Sequence, residues 1–267
     1  MTAVDQTRTR SRTSAPPAAD VRPVPFSRLT LFEWRKQLDT RAVRWLFVVI
    51  ALLTAGVVTV TALVGDGEVS FEMFVSNTST PLAMLLPVVA ILATTAEWSQ
   101  RTALTTFTLE PRRQRVVGAK VLTAVGSGLA FFAVAVGIAA VAHLAVITFR
   151  DASPDWALGA MTAGMALMIV LWMVQGVAFG LALQSTPAAI VVYLAVPTIV
   201  GAITMLVTAW ADVWPWVDLN TSSTPLIMGE SMDGTAWAQL ATSAAIWVGL
   251  PLAVGIWRVQ RGEIKTS

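Results

Sequence analysis

Apolar runs near residues 45–64, 121–148, 157–184, 187–210 and 236–257 limit this chain's fold more than any other feature. A hydrocarbon core about 30 Å thick is crossed by ~20 residues of helix, and in lipid the backbone must satisfy its own hydrogen bonds. Each run therefore reads as a membrane-spanning helix. Pro81 to Ala96 is apolar but short, so a further span is expected to begin near Phe74, with Asn77, Thr78 and Ser79 close to its outer end or inside a water-accessible cavity. The count is six spans and the fold class all-α integral membrane. Composition agrees: 55% of the 267 residues are hydrophobic, 13% are charged and mean hydropathy is +0.69, too apolar for a soluble domain with a charged surface.

Lys and Arg orient such a chain, because short loops that carry them stay on the cytoplasmic side. Nine of the 18 precede the first span, five lie in 97–120 and three follow the last, which leaves Arg150 alone outside the pattern. The alternate loops carry acids instead: Asp66, Glu68 and Glu72; Asp151 and Asp155; Asp212, Asp218, Glu230 and Asp233. Six spans keep this alternation, whereas five or seven would break it. Both termini are expected in the cytoplasm and the protein in the plasma membrane.

Residues 1–25 are rich in Arg, Thr, Pro and Ala with few large apolar side chains, so they are expected to be a disordered cytoplasmic tail that no signal peptidase removes. Residues 26–44 form the next unit. There Leu31, Trp34, Leu38, Ala42 and Trp45 share one helical face and Glu33, Lys36, Gln37, Thr40 and Arg44 fall opposite. This predicts an amphipathic helix lying flat on the membrane, with Thr30 and Glu33 as a capping box. The transmembrane domain then covers 45–260, and 261–267 is a second cytoplasmic tail. Leu183 to Pro187 reads as a tight turn. The long loop 211–239 holds several Trp residues and the stretch NTSSTP, and fits either short helices dipping into the interface or an ordinary solvated loop.

Little here could do chemistry. The chain lacks cysteine, which excludes disulfides, thiolate metal sites and thiol nucleophiles, and a lone His143 makes no histidine metal site. There is no GxxxxGK[ST], GxSxG or HExxH, and the spans hold almost no ionisable groups. An enzyme, a bound metal or cofactor and a nucleic-acid partner are not expected. His143 reads as an interfacial imidazole bonded to backbone or water. Gln175, mid-way along the fourth span, should point into the bundle, for packing or for substrate contact, and Asn77 is a second interior candidate. Beside Gln175, Gly176 and Gly180 form GxxxG, which permits close helix approach.

The richest polar stretch is Glu97 to Lys120, EWSQRTALTTFTLEPRRQRVVGAK. Glu97 ends the second span and can pair with Arg101 at i, i+4. Residues 101–109 allow two more helical turns, and Pro111 suits the first turn of the next helix. Arg112, Arg113, Arg115 and Lys120 ring the start of the third span as cytoplasmic anchors. Anchoring does not account for the length and apolar content of this connection, which look like a docking element.

Glu97, Thr102, Leu109, Pro111, Arg112, Arg113, Val116 and Ala119-Lys120 resemble the E…T…L-x-P-R-R…V…A-K signature of permeases of ATP-binding-cassette (ABC) transporters of the type 2 export class. The likeness in layout covers roughly 26–260, and the motif itself about 24 residues. Arg101 departs from it, where many relatives carry glycine. The resemblance implies that 98–110 is a coupling helix seated in a groove of a separate cytoplasmic ATPase, with Glu97, Arg101, Thr102, Thr105 and Leu109 transmitting force. It implies ATP and Mg2+ in that partner and none in this chain. Two permeases, identical or similar, would pair with two ATPases, the first two spans and the fifth lining their interface and short helices before the last span shaping an outer gate. A scaffold or sensor subunit that recruits another cytoplasmic protein is the other class that fits. The cargo suited to such spans is lipophilic or amphipathic.

Overall fold

The computed structural model describes residues 24–64, 70–100, 102, 106, 110, 112–150 and 154–261. Most of both tails lies outside the described residues, as do Arg101, Thr105, Leu109 and Pro111. Among the described residues all regular structure is helical, and six helices are long and apolar enough to cross a membrane. The α-helices are α1 (Phe26–Asp39), α2 (Arg41–Val64), α3 (Phe71–Asn77), α4 (Ser79–Ser99), α5 (Arg113–Arg150), α6 (Ala160–Leu183), α7 (Thr186–Leu206), the single-turn α8 (Trp214–Val217), α9 (Leu219–Ile227), α10 (Gly234–Ala244) and α11 (Leu250–Arg261). A wide π turn, Ala245–Gly249, joins α10 to α11 into the sixth span. It ends just before Pro251, which has no N–H to give the Trp247 carbonyl. The other spans are α2, α4, α5, α6 and α7.

The bundle is built around α6, the most buried span. Its GxxxG pair explains how α4 comes so close. A Cβ on Gly176 would stand 2.5 Å from the Pro87 carbonyl oxygen, and one on Gly180 would stand 2.9 Å from Thr94 Cβ. At the end of the bundle that carries Glu97 and Arg113, the near end, Arg258 of α11 donates to the Ala182 carbonyl, Arg113 of α5 donates to the Val259 carbonyl, and the hydroxyls of Thr95 and Thr186 lie 2.6 Å apart. The perimeter is apolar, with Trp45, Leu52 and Leu63 of α2 and Val191 and Ile199 of α7 exposed, as lipid-facing helices require.

Two prolines leave marks on α4. Pro81 has no N–H for the Asn77 carbonyl, so helix does not run on from Phe74 into the span; the second span begins at Ser79. The residues before it form α3, capped by Ser70 Oγ, which accepts from Met73 N at 3.3 Å. Pro87 likewise leaves the Ala83 carbonyl free, and the Tyr193 hydroxyl of α7 donates to it at 2.7 Å.

The N-terminal unit differs in its bounds from the single helix expected over 26–44. Its helix stops at Asp39, Thr40 turns extended (ψ 117°), and α2 starts at Arg41. There is no capping box, since α1 begins earlier, after Pro25, and Thr30 Oγ1 donates to the Phe26 carbonyl at 3.0 Å. The faces are reversed relative to a helix on a soluble core. Glu33 and Gln37 are buried against α5, while Leu31, Phe32 and Leu38 point outward. Contacts advance in register: Val24 with Arg115, Glu33 with Lys120, Gln37 with Ser127, Phe47 with Phe131 and Leu63 with Arg150. Thus α1 and α2 together accompany α5 along its whole length in one direction. At ~1.5 Å per residue α5 is about 57 Å long, nearly twice a hydrocarbon core, so it is tilted or its first turns stand beyond that core with α1.

Within 211–239 the NTSSTP stretch is helix α9 and not an open loop. Asp218 caps it, and Ser222 reaches Ser243 of α10, hydroxyl to hydroxyl, at 2.7 Å. The tight turn after α6 uses Gln184 in the left-handed region (φ 53°), and Pro187 follows in the first turn of α7.

Candidate functional site

At the near end three helices bring four charges together. α4 carries Glu97, which is 0% exposed; α5 carries Lys120, 5% exposed; α1 carries Glu33 and Lys36. Lys120 Nζ lies 3.1 Å from Glu97 Oε1 and 2.8 Å from Glu33 Oε2. Lys36 Nζ lies 2.8 Å from Glu97 Oε1 and 3.9 Å from Glu33 Oε1. Carboxylates and ammoniums alternate, so the cluster is neutral as a whole. That neutrality makes burial tolerable, because a single unpaired ion at this depth would cost several kcal/mol, whereas paired ions offset most of the penalty. Gln37 Nε2 donates to Ser127 Oγ at 3.0 Å and extends the polar seam one turn deeper. Among the described residues Glu97 Oε2 and Glu33 Oε1 have no hydrogen-bond partner, and the two lysines hold the ring.

This cluster has no nucleophile and no acid–base pair facing open space. What it can do is mechanical. A displacement of the segment after Glu97 reaches α4, α5 and α1 together, because their charges cannot be separated cheaply. The start of that segment is fastened to α4 by the bond from Thr102 N to the Glu97 carbonyl at 2.9 Å. Two i→i+4 bonds follow, Thr106 N to the Thr102 carbonyl and Glu110 N to the Thr106 carbonyl, each 3.1 Å. Glu110 is buried and closes the segment back onto α5 through Arg115, 2.7 Å from its Oε2.

The basic residues expected as anchors occupy unlike places. Lys120 is inside the charge cluster, so its charge is neutralised by carboxylates and does not reach headgroups. Arg115 also donates to the Val24 carbonyl at 2.6 Å, and Arg113 caps the carbonyls that end α11. Arg112 is exposed, its backbone N–H on Glu110 Oε1 at 3.3 Å. Sequence reasoning missed Glu33, Lys36 and Glu110 as members of the site. The available signal was charge balance, since Glu97 and Lys120 at the ends of apolar runs need opposite charges near them.

No family model matches this chain, and no curated protein matches it either. The likeness of 97–120 to the permease signature therefore stands on its own residues.

Towards the far end a cavity of about 610 Å³ opens between α4, α6, α7, α9 and the π turn. Gln175 lines it, together with Trp172, Tyr193, Asp218 and Trp247. Asn77, the other interior candidate, is half-buried and instead ties α3 to α2, its Nδ2 donating to Thr61 Oγ1 at 3.0 Å. His143, expected to bond to backbone or water, makes no bond to backbone among the described residues. It is 0% exposed, both ring nitrogens lack a partner among the described residues, and it packs edge-on against Trp156 (ring centroids 4.8 Å apart) beside Phe71 and Phe74. The cause is α3 and the segment before α6, which fold over the end of α5 and shut water out.

Proposed function

We propose that this chain is the transmembrane permease subunit of an ABC exporter, coupling ATP hydrolysis by a separate ATPase to outward movement of a lipophilic or amphipathic cargo. The observation that carries the reading is the buried Glu97–Lys120–Glu33–Lys36 cluster at the root of the segment that resembles a coupling helix. A lever needs a fixed root. Here the root is clamped to two spans and to α1, so a push on residues 98–110 is delivered to the bundle as a unit.

In this reading the Glu97 end is cytoplasmic, which agrees with the distribution of Lys and Arg. ATP and Mg2+ bind the partner ATPase, this chain supplies no nucleotide site, and two permeases pair through exposed apolar faces such as that of α2. The short α8 and α9 before the last span would then form the outer gate. The test is purification of the full chain from its own membranes. An associated protein that hydrolyses ATP and is lost on Arg101→Ala or Thr102→Trp supports the reading. Retention of a partner without ATPase activity would replace it with the scaffold class.

A further inference from the structure

We propose that the cavity at the far end is a binding site for an organic cation with an apolar or aromatic body. Its volume, about 610 Å³, falls in the range of sites that enclose small ligands. Two of the three rings that line it have their polar handles occupied elsewhere. The Tyr193 hydroxyl donates to the Ala83 carbonyl, and Trp247 Nε1 donates to the Val217 carbonyl at 2.7 Å. Tyr193 and Trp247 therefore offer the cavity ring carbon, and Trp172 adds a third ring to the lining, a surface that suits apolar groups and, face-on, cations.

Among the described polar side chains of the lining, Asp218 carries the charge and Gln175 is a second unbonded group. Asp218 is 6% exposed and uses Oδ2 for both the Thr221 N–H and the Thr221 hydroxyl, at 2.9 and 2.6 Å. Its Oδ1 has no partner among the described residues. The Gln175 side chain also makes no hydrogen bond among the described residues, and its amide is open to the cavity. The lining carries this one carboxylate and no Lys or Arg. A carboxylate oxygen without a counter-ion, beside three aromatic rings, selects for positive charge. The wide turn at Ala245–Gly249 adds a reason for the site's existence, since π turns set a side chain off the regular helical register and this one carries Trp247.

As a statement about cargo this rests on the transport reading; as a statement about binding it does not. The experiment is therefore equilibrium binding of tetraphenylphosphonium to the purified full chain in nanodiscs, with empty nanodiscs subtracted and no ATPase present. Saturable binding of one cation per chain is expected, with tetraphenylborate, the anion of the same shape, competing poorly. Asp218→Asn keeps an N-cap acceptor for α9 and should weaken binding at least about fivefold. Leu194→Trp narrows the cavity without touching that cap and should weaken it as much. Absence of saturable binding, equal competition by the anion, or wild-type affinity in both variants would overturn the proposal. Cation binding without ATP-driven export would leave the site standing and remove the transport reading.

Discussion

At the scale of single residues, the charge cluster and the proline-freed carbonyl make the sharpest demands. Glu97→Ala leaves Lys120 with only Glu33 and takes the close partner from Lys36, so thermal unfolding in micelles should fall by the equivalent of about 3 kcal/mol. Adding Lys120→Met should recover a large share, because it removes the cluster's excess positive charge and leaves Glu33 to Lys36, 3.9 Å away. If the double variant is less stable than the single, the cluster is not a compensated set. Tyr193→Phe should cost about 1 kcal/mol by orphaning the Ala83 carbonyl, and next to nothing in a Pro87→Ala background, where residue 87 again supplies the N–H. A double-mutant cycle without that coupling would refute the proline account. Glu97 was legible in the sequence as a charge at the end of an apolar run. Its partners were not, because Lys36 and Glu33 reach it and Lys120 from across a helix interface, which no local pattern reports.

At the scale of elements, hydropathy and length are local properties, and so all six spans could be read directly. Breaks and faces are another matter. The stop at Thr40 and the separation of α3 from α4 depend on backbone bonds at single positions, and the inward polar face of α1 depends on Lys120 and Ser127 waiting on α5. The helix approach around α6 yields an ordered prediction. Gly176→Ala forces a Cβ against the rigid Pro87 backbone and should cost several kcal/mol. Gly128→Ala meets the flexible Met173 side chain and should cost less. Gly56→Ala meets nothing within 4 Å and should be neutral or stabilising by up to about 1 kcal/mol, as alanine favours helix. Thermal midpoints in any other order would contradict this packing.

At the scale of the whole molecule the question is which way the bundle faces and what moves it. The absence of native cysteine gives a clean background for labelling with a membrane-impermeant maleimide. In intact cells Ser231→Cys at the far end should react from outside, and Gln100→Cys at the near end only after permeabilisation; the reverse result would invert the topology. The orientation expected from Lys and Arg rests on loop composition alone, and this labelling is its test. The α6 hub, the far-end cavity and the cluster could not be read in the sequence, because each joins residues from three or more helices. The central claim is that the root at Glu97 transmits work from an ATPase into the spans. The most direct measurement is the ATP hydrolysis rate of the complex purified through the full chain, wild type against Glu97→Gln. The account predicts that the variant keeps its ATPase partner yet hydrolyses ATP at least about tenfold more slowly; an unchanged rate, or no ATPase in the wild-type complex, would contradict it.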